Sequence, residues 1–121
     1  SLDEKPSANM SDAGSTFSAF AQKLAALDAA GVKALFGKKT VAALEALGLE
    51  GDAASTLREV IAEGVGERVV FILFLKRLLD GCPDELGGSV IAPYIARSHG
   101  RLSAAEKNLP RKARDLFDGL F

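Results

Sequence analysis

Residues 67–88, ERVVFILFLKRLLDGCPDELGG, place seven consecutive apolar side chains, Val69 to Leu75, between the charged pairs Glu67–Arg68 and Lys76–Arg77. Wound as an α-helix, the run is apolar on every face for two turns, with the charges near its ends, and a helix of that kind has to be surrounded. Lipid is excluded by length. Seven helical residues rise about 10 Å, against a hydrocarbon core of about 30 Å. Widening the window to twenty residues brings in Glu63, Glu67, Arg68, Lys76 and Arg77, each unfavourable by roughly 2–3 kcal/mol at the bilayer centre. A strand reading of 69–75, which is β-branched and aromatic, fails because the sequence offers it no partner strand. The run is therefore expected to be the central buried helix of a protein core, Glu67 to Asp80, stopped at Gly81 and restarted at Pro83. On this reading Leu73→Asp unfolds the domain.

A central helix requires others around it, and the chain supplies them between Gly and Pro punctuation. Phe17, Phe20, Leu24 and Leu27 recur at helical spacing, predicting an amphipathic helix over 15–30 that ends at Gly31. Thr40 is the expected N-cap of a short helix carrying Val41, Leu44 and Leu47 and ending at Gly48. Asp52 is the expected N-cap of the next, with Leu57, Val60 and Ile61 inward and a stop near Gly64. Gly64–Val65–Gly66 is either a hinge or a kink in one helix over 53–80. Pro83 suits a first helical position, with Asp84 and Glu85 favourable to its dipole. Gly87, Gly88 and Pro93 weaken or kink the segment that carries Val90, Ile91, Tyr94 and Ile95. Ser103 and Glu106 form an S-x-x-E capping box, Pro110 interrupts, and Leu116, Phe117, Leu120 and Phe121 follow. Connections of two to six residues favour antiparallel neighbours. The expected fold is all-α: an up-and-down bundle of four to six helices over 15–100, a flexible polar tail over 1–14 and an appended C-terminal helix over 101–121.

At 121 residues the chain is one domain, and a chain of this size buries roughly two-thirds of its unfolded surface without disulfide or metal. Its net charge of −1 carries no global field toward nucleic acid or membrane. The distribution is uneven: residues 1–30 hold two Lys against four acids, and residues 101–121 five basic against three acidic. Cys82 stands alone, so there is neither a disulfide framework nor thiol–metal spacing. The first residue is Ser rather than Met, which reads as a processed or trimmed start.

The chemical motifs each meet a simpler account. GVKALFGKKT, residues 31–40, resembles a phosphate loop, but five residues separate Gly31 from Gly37 and Lys39 intervenes between Lys38 and Thr40. It reads as a helix–helix connection. His99 precedes Gly100, where a helix C-terminus favours a cation; acid–base work needs a positioned partner, for which Asp84 and Glu85 are the candidates. Cys82 lies at a helix start, which favours thiolate, although a structural role is the simpler reading. No His or carboxylate spacing makes a metal site, and no cofactor is expected. Arg111, Lys112 and Arg114, with Phe117 and Phe121 expected to be exposed, form the best candidate partner-binding surface; its competitor is a solvated helix face interleaved with Asp115 and Asp118.

These features favour a non-enzymatic scaffold or binding subunit whose expected partners are protein subunits of a larger assembly. It is expected to take no nucleic acid and to be at most peripheral to a membrane. The layout of helices 15–30, 40–47, a kinked 53–80 and 84–99, followed by SAAEKNLPRKARDLFDGLF, resembles the small extrinsic four-helix lumenal proteins of photosystem II in diatoms and related algae. That resemblance implies a pigment-free protein of the thylakoid lumen that stabilises the oxygen-evolving side, with its processed start left by a removed leader. It carries no diagnostic motif and no family site residues. Two other readings stay open: a secreted helical effector or immunity-type protein acting on a partner, and a small-molecule carrier with a pocket inside the bundle.

Overall fold

The computed structural model describes residues 12–121, with side-chain surroundings from Thr16 onward. The expected tail lies largely outside the described residues, and the first helix already begins at Asp12. The described chain is all-α, without strands. Its helices are α1 Asp12–Ala25, α2 Ala29–Lys38, α3 Val41–Ala46, α4 Gly51–Ala62, α5 Glu67–Gly81, α6 Pro83–Leu86, α7 Ile91–Gly100, α8 Ala104–Lys107 and α9 Arg111–Asp118.

Nine helices among the described residues replace the expected four to six, for three local reasons. Residues 29–38, expected as a connection, are helical. Asp28 caps them, its Oδ1 accepting from Gly31 N at 2.8 Å, so Gly31 lies inside the first turn rather than past a helix end. The 53–80 alternative resolves into two helices, because Gly64 takes φ 104° just beyond the α4 cap at Glu63, a conformation that glycine adopts at little cost. The segment after Pro83 also divides, into the single turn of α6 and the separate α7.

Other caps follow the sequence closely. Thr40 Oγ1 accepts from Ala43 N at 3.2 Å. Gly48 N bonds Glu45 O at 2.9 Å and Leu49 N bonds Leu44 O at 3.0 Å, with Gly48 at φ 107°. This is the Schellman pattern with its C″ residue, Leu49, buried in the core. For α4 the cap differs from expectation. Glu50 occupies the N-cap position without a side-chain bond, and Asp52 sits in the first turn, where the dipole still favours it.

The core is organised around α5, which packs against α1, α4, α6, α7 and α8. Val70, Phe71, Phe74, Leu75 and Leu78 are fully buried, each such side chain contributing about 1.5–3 kcal/mol by leaving water. Phe74 meets Phe17 edge-on at 5.4 Å between ring centroids, and Phe36 meets Phe71 in the same way at 5.5 Å. The first residue of α5 also ties two elements together. Glu67 Oε2 accepts from Val41 N at 2.9 Å, satisfying one of the donors left open at the start of α3.

The C-terminal segment, expected as an appended extension, is part of this core. Helix α9 packs against α4 with Ala113 and Phe117 buried, and Phe121 lies 5.5 Å from Phe17 and 5.8 Å from Phe74. The corner leading to it is held by the capping box, with Glu106 N to Ser103 Oγ at 3.0 Å and Ser103 N to Glu106 Oε1 at 2.8 Å. That backbone hydrogen bond, ahead of the nearby Arg68, holds the Glu106 carboxyl below its ordinary range. Ser103→Ala is expected to lower stability by about 1 kcal/mol, read as a shift of the urea midpoint at unchanged slope. Because the Glu106 carboxyl titrates lower in the folded chain than in the unfolded one, its contribution is present above the unfolded value. It is lost as pH falls through the folded one. The penalty of Glu106→Gln, which removes that carboxylate, should therefore shrink in acid, whereas Ser103→Ala keeps the backbone N–H that Glu106 accepts from.

A cationic cleft between α5, α7 and the α8–α9 corner

Lys76, Arg77 and Asp80 fall within about 100° of one another on the α5 wheel, and Leu73 lies inside that arc. The charges thus share one face with Leu73 rather than scattering around the helix, and α5 is not surrounded on all sides. Leu73 is half-buried where its neighbours Ile72, Phe74 and Leu75 are buried. This open face is one wall of a cleft of about 380 Å³. His99, at the end of α7, forms the second wall. Lys107, Asn108 and Leu109 at the α8–α9 corner, with Arg114, Phe117 and Asp118 of α9, complete it. The floor is apolar, from Leu73, Leu109 and Phe117, and the rim is charged.

Two of the rim cations are already compensated. Lys76 Nζ lies 2.8 Å from each carboxylate oxygen of Asp80. Arg77 bonds Asp118 Oδ1 at 2.7 Å, and its guanidinium lies over the rings of Phe117 and Phe121, 5.0 and 4.8 Å from their centroids. Lys107 and Arg114 have no ion pair among the described residues. Burial first, and then the Lys107 and Lys76 ammonium groups, hold His99 below the ordinary imidazole value, with Asp80 opposing.

The residues expected to form a partner surface separate on folding. Arg114 and Phe117 both line the cleft. Phe117 is only 3% exposed, so it serves as floor rather than as a projecting aromatic. Phe121 is half-buried in the aromatic cluster and likewise does not project. The reason is the amphipathic spacing of α9, which turns Ala113 and Phe117 inward. Lys112 is exposed, its Nζ 3.4 Å from Glu63 Oε2, and Arg111 is exposed at the first turn of α9. Sequence reasoning missed Leu73, Lys76, Arg77, His99, Lys107 and Leu109 as members of one site. The 73, 76, 77, 80 spacing was the readable signal; the meeting of α5 with residues 99–118 had none.

The remaining chemical candidates are changed by the fold. Glu85 is not beside His99 but accepts from Ser18 Oγ at 2.7 Å; the acidic group that acts on His99 is Asp80. Cys82 is 1% exposed, and burial, then the charge of Glu85, push its thiol up. The single turn of α6 does not offset that burial, so the thiolate expected at a helix start is disfavoured. No cluster of metal-ligating side chains occurs among the described residues, and no described helix is long and apolar enough to cross a membrane. Comparison with family models, with curated proteins and with solved structures gives no match for this chain.

Proposed function

We propose that the chain is a non-catalytic helical binding subunit of a larger protein assembly, docked through the cleft between α5, α7 and α9. The observation that carries this is the uncompensated charge over an apolar floor. Lys76, Arg77, Lys107 and Arg114 are four basic groups against the two acids Asp80 and Asp118, an excess of +2 within one concavity. Lys107 and Arg114, both exposed, are free to steer an acidic surface, while Leu73, Leu109 and Phe117 provide apolar contact area once it has arrived. Burial and the neighbouring ammonium groups hold His99 below its ordinary value, and Lys76 engages the carboxylate of Asp80, so contact rather than acid–base chemistry is assigned to this cleft.

The finer form of the proposal, an extrinsic lumenal subunit on the oxygen-evolving side of photosystem II, rests on the sequence resemblance alone, and the separate α4 and α5 and the core-packed α9 depart from the layout that carried it. In that form the protein is expected on thylakoid membranes and leaves them in high salt, because contacts at a charged rim are screened; release only by detergent rejects it. For the docking reading itself, Arg114→Glu is expected to lower the salt concentration that releases the chain from its native assembly. Arg111→Glu, outside the cleft, is expected to have the smaller effect. Equal release of Arg114→Glu and the unaltered chain would remove the cleft from the docking surface.

A further inference from the structure

We infer that the element this cleft receives is an acidic segment of the partner protein, with two carboxylates on Lys107 and Arg114 and a large apolar side chain between them on Leu73, Leu109 and Phe117. The inference rests on the reading of the chain as a docked subunit and names the chemistry of what docks.

Three features of the cleft select this occupant. Its charge excess of +2 is localised, since Lys76 and Arg77 are committed to Asp80 and Asp118 while Lys107 and Arg114 are not. Two carboxylates compensate Lys107 and Arg114 one for one. The fixed acids Asp80 and Asp118 on the same rim repel a dense negative charge, so spaced single charges fit better than one compact dianion. The floor, finally, is made of three apolar side chains, and a simple anion leaves it uncovered. A segment with an aliphatic or aromatic residue between its acids fills it, and the desolvated floor then strengthens the ion pairs above it.

His99 makes the occupant observable. It is the only histidine of the chain, so its ring gives a single, unambiguous signal by NMR. The charged groups acting on it are Lys76 and Asp80 from α5 and Lys107 from α8, with Arg114 of α9 in the same cleft wall. Carboxylates placed on Lys107 and Arg114 offset the cations that disfavour the imidazolium, and its titration midpoint rises. By linkage the same segment binds more tightly as pH falls through that midpoint.

The test titrates the intact protein with a short synthetic peptide of alternating Asp and Leu, with its Asn–Leu counterpart and with inorganic phosphate, following the His99 ring signal and the Leu73 and Leu109 methyls. The Asp–Leu peptide is expected to raise the His99 midpoint and shift both methyls. Lys107→Ala and Arg114→Ala, both at exposed positions, are each expected to weaken it about five-fold. Phosphate giving the same response would make the cleft a plain anion site. The Asn–Leu peptide binding equally would make it an apolar groove, and an unmoved His99 signal at saturating Asp–Leu peptide would mean that no such segment enters. Any of these overturns the inference. The docked-subunit reading is judged separately, by salt release of the native assembly. That reading survives a negative peptide result, and it falls if Arg114→Glu leaves the release unchanged.

Discussion

Leu75→Asp is expected to abolish cooperative folding, with loss of helical circular dichroism and no urea transition. Leu75 is fully buried on α5. Substitution removes about 1.5–3 kcal/mol of transfer free energy and leaves a cavity. It also places a carboxyl in a core that holds no other buried polar or charged side chain among the described residues, adding several kcal/mol whether the group stays ionised or is protonated. The sum exceeds about 5 kcal/mol, comparable to the whole stability of a small domain. The neighbouring Leu73→Asp, which the apolar run alone marks as equally lethal, is expected to fold. Leu73 is half-buried in the cleft beside Lys76 and Arg77, so a carboxylate there meets water and cations. The expected cost is about 1–2 kcal/mol. An unfolded Leu73→Asp beside a folded Leu75→Asp would mean that the two faces of α5 have been exchanged.

The second large effect is Phe74→Ala, expected to lower stability by about 3–5 kcal/mol in urea denaturation. Phe74 is fully buried and has Phe17 at 5.4 Å, Phe121 at 5.8 Å and Phe20 at 6.4 Å between ring centroids. The aromatic contacts add about 0.5–1.5 kcal/mol each beyond area burial. Collapse of the cavity is limited because the surrounding rings are held by two separate segments, Phe17 and Phe20 by α1 and Phe121 by the C-terminus. A double-mutant cycle of Phe74→Ala with Phe121→Ala should return a coupling of about 0.5–1.5 kcal/mol. Strict additivity would mean that the C-terminal residues are an appendage rather than part of the core.

Much of the fold was legible residue by residue. The Thr40 cap, the Gly48 end of α3, the Pro83 start of α6 and the Ser103–Glu106 box all depend on groups within five residues of one another, and local chemistry decides them. Local rules also produced errors where a packing partner outweighed a propensity. Gly31 and Gly37 argued against a helix over 29–38, yet Val32 and Leu35 are buried there. The apolar contact they make, with the Asp28 cap, outweighs about 1 kcal/mol of glycine penalty at each position. Phe117 and Phe121 looked like an exposed aromatic surface because nothing in residues 111–121 announces that α4, α1 and α5 cover them.

The sequence by itself determined several of the helix caps and breaks, that the described residues are all-α, and that most of residues 69–75 lie in the core. Those outcomes follow from hydrophobic periodicity, caps and breakers, which act over one or two turns. Only the tertiary structure decided which face of α5 stays open, that the last eleven residues join the core, and that Lys107 and Arg114 stand uncompensated beside His99. These depend on contacts between residues 26 to 104 positions apart, from Val41 with Glu67 to Phe17 with Phe121, and no local preference specifies such pairings.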